Sequence, residues 1–381
     1  MAHELRGAAA VTGIGLTDFG ELPGRSHLEI MAEAVHHAVN DAGIQLHDID
    51  GVFGSNFADA LPALNILEYL GLRPKFMDGT NIGGSSFSNS VQSAALALKA
   101  GIIDTALIAY GSNVRTGTRR GGMAPNRFEG VYKPRNPITP YALAASRHMY
   151  EFGTTREHLA HVAVSARQWA QKNPKAYMRD PLTIEDVLNS RMVCDPFTVR
   201  DCCLVVDGGA AIIMKRADEA KDAPNPPVYM LGVGAASWHS QIACMPDLTV
   251  TAVADSAPRA YAMSGITVGD VDVVEVYDAF TINTILFLED LGFCKKGEGG
   301  PFVAEGHIAP GGKLPLNTNG GGLSCVHPGM YSMFPMIEAV EQLRGQAGER
   351  QVEGAEIALT NGNGGVLSSQ VTIVWGNAAT L

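Results

Sequence analysis

Hydrophobic residues occur in short apolar runs that alternate with segments of helical spacing. In the first part of the chain, the runs at residues 9–20, 51–55, 105–112 and 207–216 predict strands. Residues 27–43 place apolar side chains at helical spacing and predict a helix between the first two strands. Strands that alternate with helices favour an α/β protein with layered, mainly parallel sheets.

The same alternation resumes after a polar and proline-rich segment at residues 218–228, which is typical of a linker. Strands are predicted at residues 228–237, 271–278 and 368–376, and helices at residues 251–265 and 281–293. We therefore expect two domains, residues 1–225 and residues 226–381. The first includes a more irregular region, about residues 114–196 and rich in Arg, Pro, Tyr and Met, which we expect to cover a site.

A short internal repeat supports this division. Residues 80–86 read TNIGGSS and residues 318–324 read TNGGGLS, so five of seven positions match. Each copy follows a short extended segment, KFMDG or KLPLN, and precedes a predicted helix, at residues 87–100 or 328–343. Each helix leads to another apolar strand, so the repeat suggests two related halves.

The first copy of the repeat admits two interpretations. In one, Gly83 and Gly84 relax the backbone of a strand-to-helix turn and a serine accepts hydrogen bonds from free helical N–H groups. In the other, the helix N-terminus offers N–H donors and partial positive charge to a bound thioester or a developing oxyanion. The local sequence leaves both open.

Composition excludes several classes of protein. With 381 residues, 46% hydrophobic and 18% charged, the chain can form a compact core. A net charge of −11 and a pI near 5.4 argue against nucleic-acid binding. The one basic cluster, Arg115, Arg119 and Arg120, is either a solvated loop or a contact for a phosphate-bearing ligand such as coenzyme A.

The cysteines and the N-terminus point to a cytoplasmic protein. The six cysteines form no C-x-x-C pair, which indicates reduced thiols and no metal site. The N-terminus has no signal-peptide pattern, and no apolar stretch is long enough to span a membrane. Two G-x-G segments lack the third glycine of a dinucleotide-binding fingerprint.

Several segments in order along nearly the whole chain resemble the thiolase superfamily, in particular its lipid-transfer-protein or sterol-carrier-protein branch. They are GGSSFSNSVQSAALALKAG, DGGAAIIMKR, EVYDAFTINTILFLEDLGFC, LPLNTNGGGLSCVHPG and LTNGNGGVLSS. The resemblance implies an α/β thiolase fold, five layers in the order αβαβα built from two similar halves. It also implies a homodimer that acts on coenzyme A thioesters, with no tightly bound cofactor and coenzyme A present as part of the substrate.

The chain departs from the family at its sulfur groups. Gly84 occupies the position of the acyl-carrying cysteine, and NGNGG at residues 361–365 replaces the segment that normally contains the cysteine base. Ser85 or Ser86 could attack only with an adjacent base, because a hydroxyl is a weak nucleophile at neutral pH. The alternative is that these serines cap the helix or bind the ligand.

Two groups able to transfer protons remain. Tyr277 stands in YDAF where the family has histidine or asparagine, and a phenol serves as acid or base if its environment lowers its pKa. His327 in CVHPG matches the catalytic histidine, at the predicted start of the second helix, where the helix N-terminus favours the neutral ring. Cys325 is an alternative nucleophile, and strand alternation would put it on the same face as His327.

These residues predict carbon–carbon bond cleavage or formation on an acyl-CoA, of retro-aldol or retro-Claisen type, without an acyl-cysteine. Tyr277 and His327 are the expected acid-base pair. We expect the substrate and its oxyanion to be bound by Gly84, Ser85, Ser86, Asn319, Asn363 and Gly364. Steroid side-chain aldolases of the family are similar at Tyr277 but have a second tyrosine at the position of His327. They also suggest a small zinc-containing OB-fold partner.

Two other functions stay open at this point. One is an acyl-CoA acyltransferase with an unusual nucleophile, Cys325 or a serine. The other is a non-catalytic scaffold that binds acyl-CoA or lipid for a partner.

Overall fold

The computed structural model describes residues 3–117 and 128–381. The strands are β1 Ala9–Leu16, β2 Gly51–Gly54, β3 Phe76–Asp78, β4 Thr105–Ser112, β5 Met192–Cys194, β6 Phe197–Thr198, β7 Gly208–Arg216, β8 Val228–Ser237, β9 Val273–Val276, β10 Ile357–Gly364 and β11 Ser369–Gly376. The helices are α1 His27–Ala42, α2 Pro62–Leu70, α3 Ser86–Lys99, α4 Ile138–Phe152, α5 Arg156–Gln171, α6 Ile184–Leu188, α7 Ala217–Ala220, α8 Val253–Ser264, α9 Thr281–Asp290, α10 Gly299–Ala304 and α11 Met333–Leu343. Within these ranges, no helix is both long and apolar enough to cross a membrane.

Nine of the described strands form one sheet, in the order β3-β2-β4-β7-β1-β8-β11-β10-β9. The two halves of this order correspond strand by strand when each is followed outward from the centre. In the second half, β8, β11, β10 and β9 take the places that β1, β7, β4 and β2 have in the first half. Beyond β9, Leu316 makes a parallel bridge to Val274 and takes the place of β3. The two halves of the fold are therefore similar, and they meet where β1 pairs with β8 at Ala10–Tyr229 and Val11–Val228. The domain boundary at residue 225 stays a prediction.

The prediction of mainly parallel sheets is wrong. Among the described strands of the large sheet, the pairs β2–β3, β2–β4 and β9–β10 are parallel, and the other five pairs are antiparallel. The reason lies in the closing strands. The short turn after Gly364 returns β11 antiparallel to β10, and β7 likewise lies antiparallel to β4.

Helices cover the sheet in layers. Helix α1 packs on β1, β4 and β7, and α8 packs on β8 and β11, each with its own small apolar cluster. Helices α3 and α11 contact each other and the strands of both halves, so they form the central layer. The large hydrophobic core lies around them. Each half of the sheet forms one β layer, so the order is α1, first half of the sheet, α3 and α11, second half of the sheet, α8. This is the five-layer αβαβα fold that the sequence predicts, and it places α3 and α11 between the two halves.

Two local predictions differ from the structure. The region of about residues 114–196 is not irregular in its described part, since α4 and α5 are regular helices of 15 and 16 residues. The second repeat does not lead directly into a helix. Residues Gly321–Cys325 form a π-helical turn, and α11 begins only at Met333.

Candidate active site

The Tyr277 side chain lies against Gly84. Tyr277 directly follows β9, and its N–H donates to the carbonyl of Asn361 at 3.0 Å, which holds it at the strand end. A Cβ atom on Gly84 would lie 2.3 Å from Cε2 of Tyr277 and 2.5 Å from its hydroxyl oxygen. The phenol therefore occupies the space into which a side chain at position 84 would project, and glycine is required there.

His327 stands edge-on to this phenol. The ring centroids of Tyr277 and His327 are 5.4 Å apart with an interplanar angle of 80°. His327 is buried, and its Nε2 atom has no hydrogen-bond partner among the described residues. Burial lowers the pKa of His327 to about 4, because the charged ring would be desolvated. The imidazole is therefore neutral at pH 7.

Burial acts on Tyr277 in the opposite direction. It raises the pKa of the phenol well above its ordinary value, and nearby Tyr141 and Cys203 add to this. The Tyr277 hydroxyl is therefore protonated at neutral pH and donates to the carbonyl of Gly329 at 3.4 Å. This environment does not lower the pKa, as a tyrosine base would need, and it keeps the proton on the Tyr277 hydroxyl.

His327 lies in the loop between the π-helical turn and α11, not at the start of a helix as predicted. The loop is anchored from the first half by Tyr110, whose hydroxyl donates to the carbonyl of Pro328 at 2.5 Å and accepts from the N–H of Met330 at 3.1 Å. The neutral state of the His327 ring thus comes from burial, and a helix N-terminus is not needed to explain it.

Tyr331 is a site residue that sequence reasoning missed. Its ring stacks on His327 at 5.6 Å and stands edge-on to Tyr277 at 5.3 Å. Its hydroxyl donates to Oδ1 of Asn319 at 3.5 Å. Asn319 thereby holds the Tyr331 side chain through this hydrogen bond. The only signal in the sequence is an aromatic residue four positions after the histidine.

The carboxylate of Asp278 accepts hydrogen bonds from backbone N–H groups of the second glycine turn. It accepts the N–H of Gly322 at 2.6 Å and that of Leu323 at 3.3 Å, while the N–H of Gly321 donates to Asn319 at 2.6 Å. Burial raises the pKa of Asp278 to about 7. The N–H groups of Gly321, Gly322 and Leu323 therefore all donate within the protein, and oxyanion binding by Asn319 stays a prediction.

The two serines of the first turn support that turn. The Ser86 hydroxyl donates to the carbonyl of Gly83 at 2.6 Å and accepts from the N–H of Ile82 at 3.0 Å. The Ser85 hydroxyl donates to the Ser369 hydroxyl at 3.1 Å. Ser85 stands at the N-cap of α3, but its side chain accepts no capping hydrogen bond. None of these partners is a base that could activate a serine.

Asn363 and Gly364 pack against this first turn. A Cβ atom on Gly364 would lie 1.9 Å from the carbonyl oxygen of Ile82 and 2.4 Å from the Ser85 hydroxyl, so the two glycine segments are in direct backbone contact. The Asn363 side chain accepts from Gln370 at 2.7 Å and donates to the hydroxyl of Tyr141 at 2.8 Å. Tyr141 belongs to α4, so the region that we expect to cover a site contacts Asn363, next to the first glycine turn.

Cys325 is not an activated nucleophile in this structure. Its sulfur accepts a hydrogen bond from Nδ2 of Asn173 at 3.6 Å, and burial raises the pKa of the thiol well above its ordinary value. Of the basic cluster, Arg115 pairs with Glu21 at 2.9 Å, whereas Arg119 and Arg120 lie outside the described residues.

The sequence and the structure of this chain are similar to those of known proteins. Residues 234–377 match the family model described as thiolase C-terminal domain-like. The chain is 36% identical to an acetyl-CoA acetyltransferase of Methanothermobacter thermautotrophicus, over 93% of this chain and 96% of the relative. It is 33% identical to a steroid side-chain-cleaving aldolase of Thermomonospora curvata, over 94% and 96%.

A solved structure, that of an Ltp2-ChsH2(DUF35) aldolase, superposes with a TM-score of 0.89 at 33% identity, covering 99% of this chain and 100% of that one. The likeness extends over both halves and includes the segments that carry Gly84, Tyr277 and His327. The chain therefore belongs to the thiolase superfamily, in the sterol-carrier-protein-type branch with the steroid side-chain aldolases, and is a thiolase-like enzyme.

Proposed function

We propose that the protein cleaves or forms a carbon–carbon bond in an acyl-CoA thioester, by retro-aldol or retro-Claisen chemistry and without an acyl-cysteine. The observation that carries the proposal is the contact between Gly84 and Tyr277. A proton donor fills the space that the acyl-carrying cysteine takes in a thiolase. The names of two relatives agree with this proposal, since one is an acetyl-CoA acetyltransferase and the other is an aldolase that cleaves steroid side chains.

The protonation states assign different roles to the two residues. Neutral His327, with an unpartnered Nε2, is the base that removes the proton of a β-hydroxyl. The Cα–Cβ bond then breaks, the Cβ–O group becomes a carbonyl, and the electron pair moves into the thioester enolate. Protonated Tyr277 delivers a proton to the enolate carbon and regains it from the imidazolium, so the enzyme returns to its starting state.

The thioester oxygen needs a positive environment while the enolate exists. We place it at the N-terminus of α3, beside Gly84, because the helix dipole and the first helical N–H groups favour negative charge there. The Ser85 side chain does not cap this terminus. Gly84, Ser85 and Gly364 would then bind the substrate through the turn they form, with Ser86, Asn319 and Asn363 holding its surroundings.

The proposal is tested by product analysis with β-hydroxyacyl-CoA substrates. In the absence of free coenzyme A, the enzyme should release a shortened acyl-CoA and one aldehyde or ketone per turnover, with no mass added to the protein. A requirement for free coenzyme A, together with a stable acyl adduct on Cys325 or Ser85 in mass spectra, would show thiolase chemistry. Unchanged turnover in both Tyr277→Phe and His327→Ala would remove the assigned roles.

We also propose a homodimer and a small zinc-containing OB-fold partner. A dimer is supported by the exposed sheet edge at β3, where Met77 is exposed, and by exposed Leu61 and Leu64 at the nearby α2. A partner is supported by the structural neighbour, because the name Ltp2-ChsH2(DUF35) aldolase joins two components. Light scattering of the purified protein, alone and with a co-expressed candidate partner, distinguishes these assemblies. Cytoplasmic location stays a prediction.

A further inference from the structure

Two arginines line a cleft outside the reaction centre. The cleft lies between α5, the segment at residues 199–204 and the π-helical turn, which contributes Leu323 and Ser324 to its lining. Arg167 reaches it from α5, and Arg200 lines the same cleft from the opposite segment. The remaining lining side chains are apolar or weakly polar: Ala163, Leu182, Val199, Cys202 and Leu204.

Arg167 is a buried cation without a carboxylate partner. Only 3% of its surface is exposed. Its Nε donates to the Ser324 hydroxyl at 3.0 Å and its Nη1 to the carbonyl of Asp180 at 2.9 Å, and both acceptors are uncharged. Within residues 3–117 and 128–381 it forms no ion pair. Burying an unpaired charge is costly, so a structure that keeps one usually supplies a counter-ion.

The second arginine increases this cost. Arg200 is half-buried and lies close enough for its charge, with burial as the larger cause, to lower the pKa of Arg167. Exposed Asp180 and Asp186 act on the two arginines only from beyond ion-pair distance. Cys202, at the cleft wall, stays a thiol because burial raises its pKa to about 12. The two charged side chains that line the cleft are therefore both cations.

We propose that this cleft binds a phosphate group, held by the guanidinium groups of Arg167 and Arg200. Planar guanidinium groups match the oxygen atoms of phosphate and are more weakly hydrated than ammonium groups, which suits a partly buried anion site. The bound phosphate would neutralise Arg167 and so stabilise α5 against the turn at Ser324.

The site is next to the reaction centre through that turn. Asp278 holds the N–H groups of Gly322 and Leu323 on one side, and Arg167 holds Ser324 on the other. The phosphate could belong to the coenzyme A part of the substrate or to a separate phosphorylated molecule. The first source rests on the proposed function, whereas the phosphate site itself does not.

Isothermal titration of the full-length protein with inorganic phosphate tests the site. The wild type should bind one phosphate per chain, and Arg200→Gln should weaken binding roughly tenfold or more, since a charge-assisted contact is lost. Arg200 is suited to this because, in the part of the chain that the structure describes, its guanidinium donates no side-chain hydrogen bond. Arg73→Gln, which removes an exposed arginine elsewhere, is the matched control and should bind as the wild type does.

Each outcome decides the proposal. The site is overturned if the wild type shows no saturable phosphate binding, or if Arg200→Gln binds phosphate as tightly as the wild type does. It is also overturned if Arg73→Gln weakens binding as much as Arg200→Gln does, because phosphate would then be an adventitious ion only. If phosphate binds, competition identifies its source. Coenzyme A that displaces phosphate, with dephospho-coenzyme A displacing it more weakly, assigns the cleft to the substrate. Phosphate binding unaffected by saturating coenzyme A assigns it to a separate ligand, even if the proposed function fails.

Discussion

At the scale of single residues, the properties of Tyr277 are set by burial. The phenol is protonated, and its ring fills the space beside Gly84. The same burial keeps His327 neutral. One physical cause, desolvation, therefore keeps the phenol protonated and the imidazole neutral in two rings that pack edge to face.

Removing the Tyr277 hydroxyl should abolish most activity and leave the fold intact. Tyr277→Phe keeps the ring against Gly84 and His327 but has no proton to donate, so we expect kcat to fall on the order of 10²–10⁴-fold. Tyr229→Phe is the matched control, because Tyr229 is equally buried but lies in the cluster under α8. Steady-state kinetics and circular dichroism of both variants check the prediction. Equal activity in the two variants would contradict it.

His327 should make stability depend on pH. Its folded-state pKa of about 4 is below the ordinary 6.5, so the unfolded chain takes up a proton that the folded protein excludes. The stability is fully present above pH 6.5 and is lost as the pH falls toward 4. Between pH 7 and pH 4, the wild type should lose roughly 3 kcal/mol more free energy of unfolding than His327→Gln.

Urea unfolding of both proteins at several pH values measures this difference. The comparison with His327→Gln cancels the contribution of Asp278 and other buried carboxyl groups, whose raised pKa values act in the opposite direction. Parallel pH profiles for the two proteins would show that His327 is accessible to protons in the folded state.

At the scale of elements, the turn before α3 and the strand end after β9 are matched in shape. Gly84→Ala places a Cβ atom within 2.3–2.6 Å of the Tyr277 ring, which must move. We expect a loss of about 1–3 kcal/mol in the free energy of unfolding. The same substitution should cost much less in a Tyr277→Asn background, where the ring is absent, so a double-mutant cycle measures the contact.

Gly130→Ala is the control for this cycle, because a Cβ atom there would meet no atom within 4 Å and its backbone has no left-handed conformation. If Gly84→Ala cost the same in both backgrounds, the contact between the two elements would not be what requires glycine.

The sequence predicted most elements but not their directions. Continuous apolar runs located β1 and β8, which are buried along most of their length, and helical periodicity located α1 and α8, each of which has one buried face, all to within a few residues. It could not show that β7 and β11 run antiparallel to their neighbours. Strand direction depends on where the chain turns in space, and apolar strands buried on both faces look alike in either direction.

At the scale of the whole molecule, a charged cluster joins the two halves. Asp41 at the end of α1 accepts from Arg344 at 2.8 Å and from Asn225 at 2.8 Å. Arg344 follows α11 and is fully buried at its side chain, and it also donates to the carbonyl of Pro226 at 3.0 Å. The cluster therefore connects the end of α1, the segment at residues 225–226 and the end of α11.

Asp41→Asn should destabilise the whole protein. The substitution leaves the Arg344 guanidinium buried without a counter-charge, and breaking such a pair costs roughly 3 kcal/mol or more. Glu33→Gln, which breaks the partly exposed pair with Arg25, should cost at most about 1 kcal/mol. Denaturant unfolding followed by fluorescence measures both. Similar losses in the two variants would show that the cluster is screened by water.

The sequence alone determined the family, the two related halves and the absence of the acyl-carrying cysteine, and it supplied the prediction that Tyr277 and His327 transfer protons. These are properties of residue type, spacing and order, which a chain displays before it folds. Only the tertiary structure decided that Tyr277 fills the space at Gly84, that Asp278 takes the donors of the second turn, and that Tyr331 and Asn319 support the histidine. Those facts depend on contacts between residues far apart in the chain, and on burial, which sets the protonation states and exists only once the core has formed.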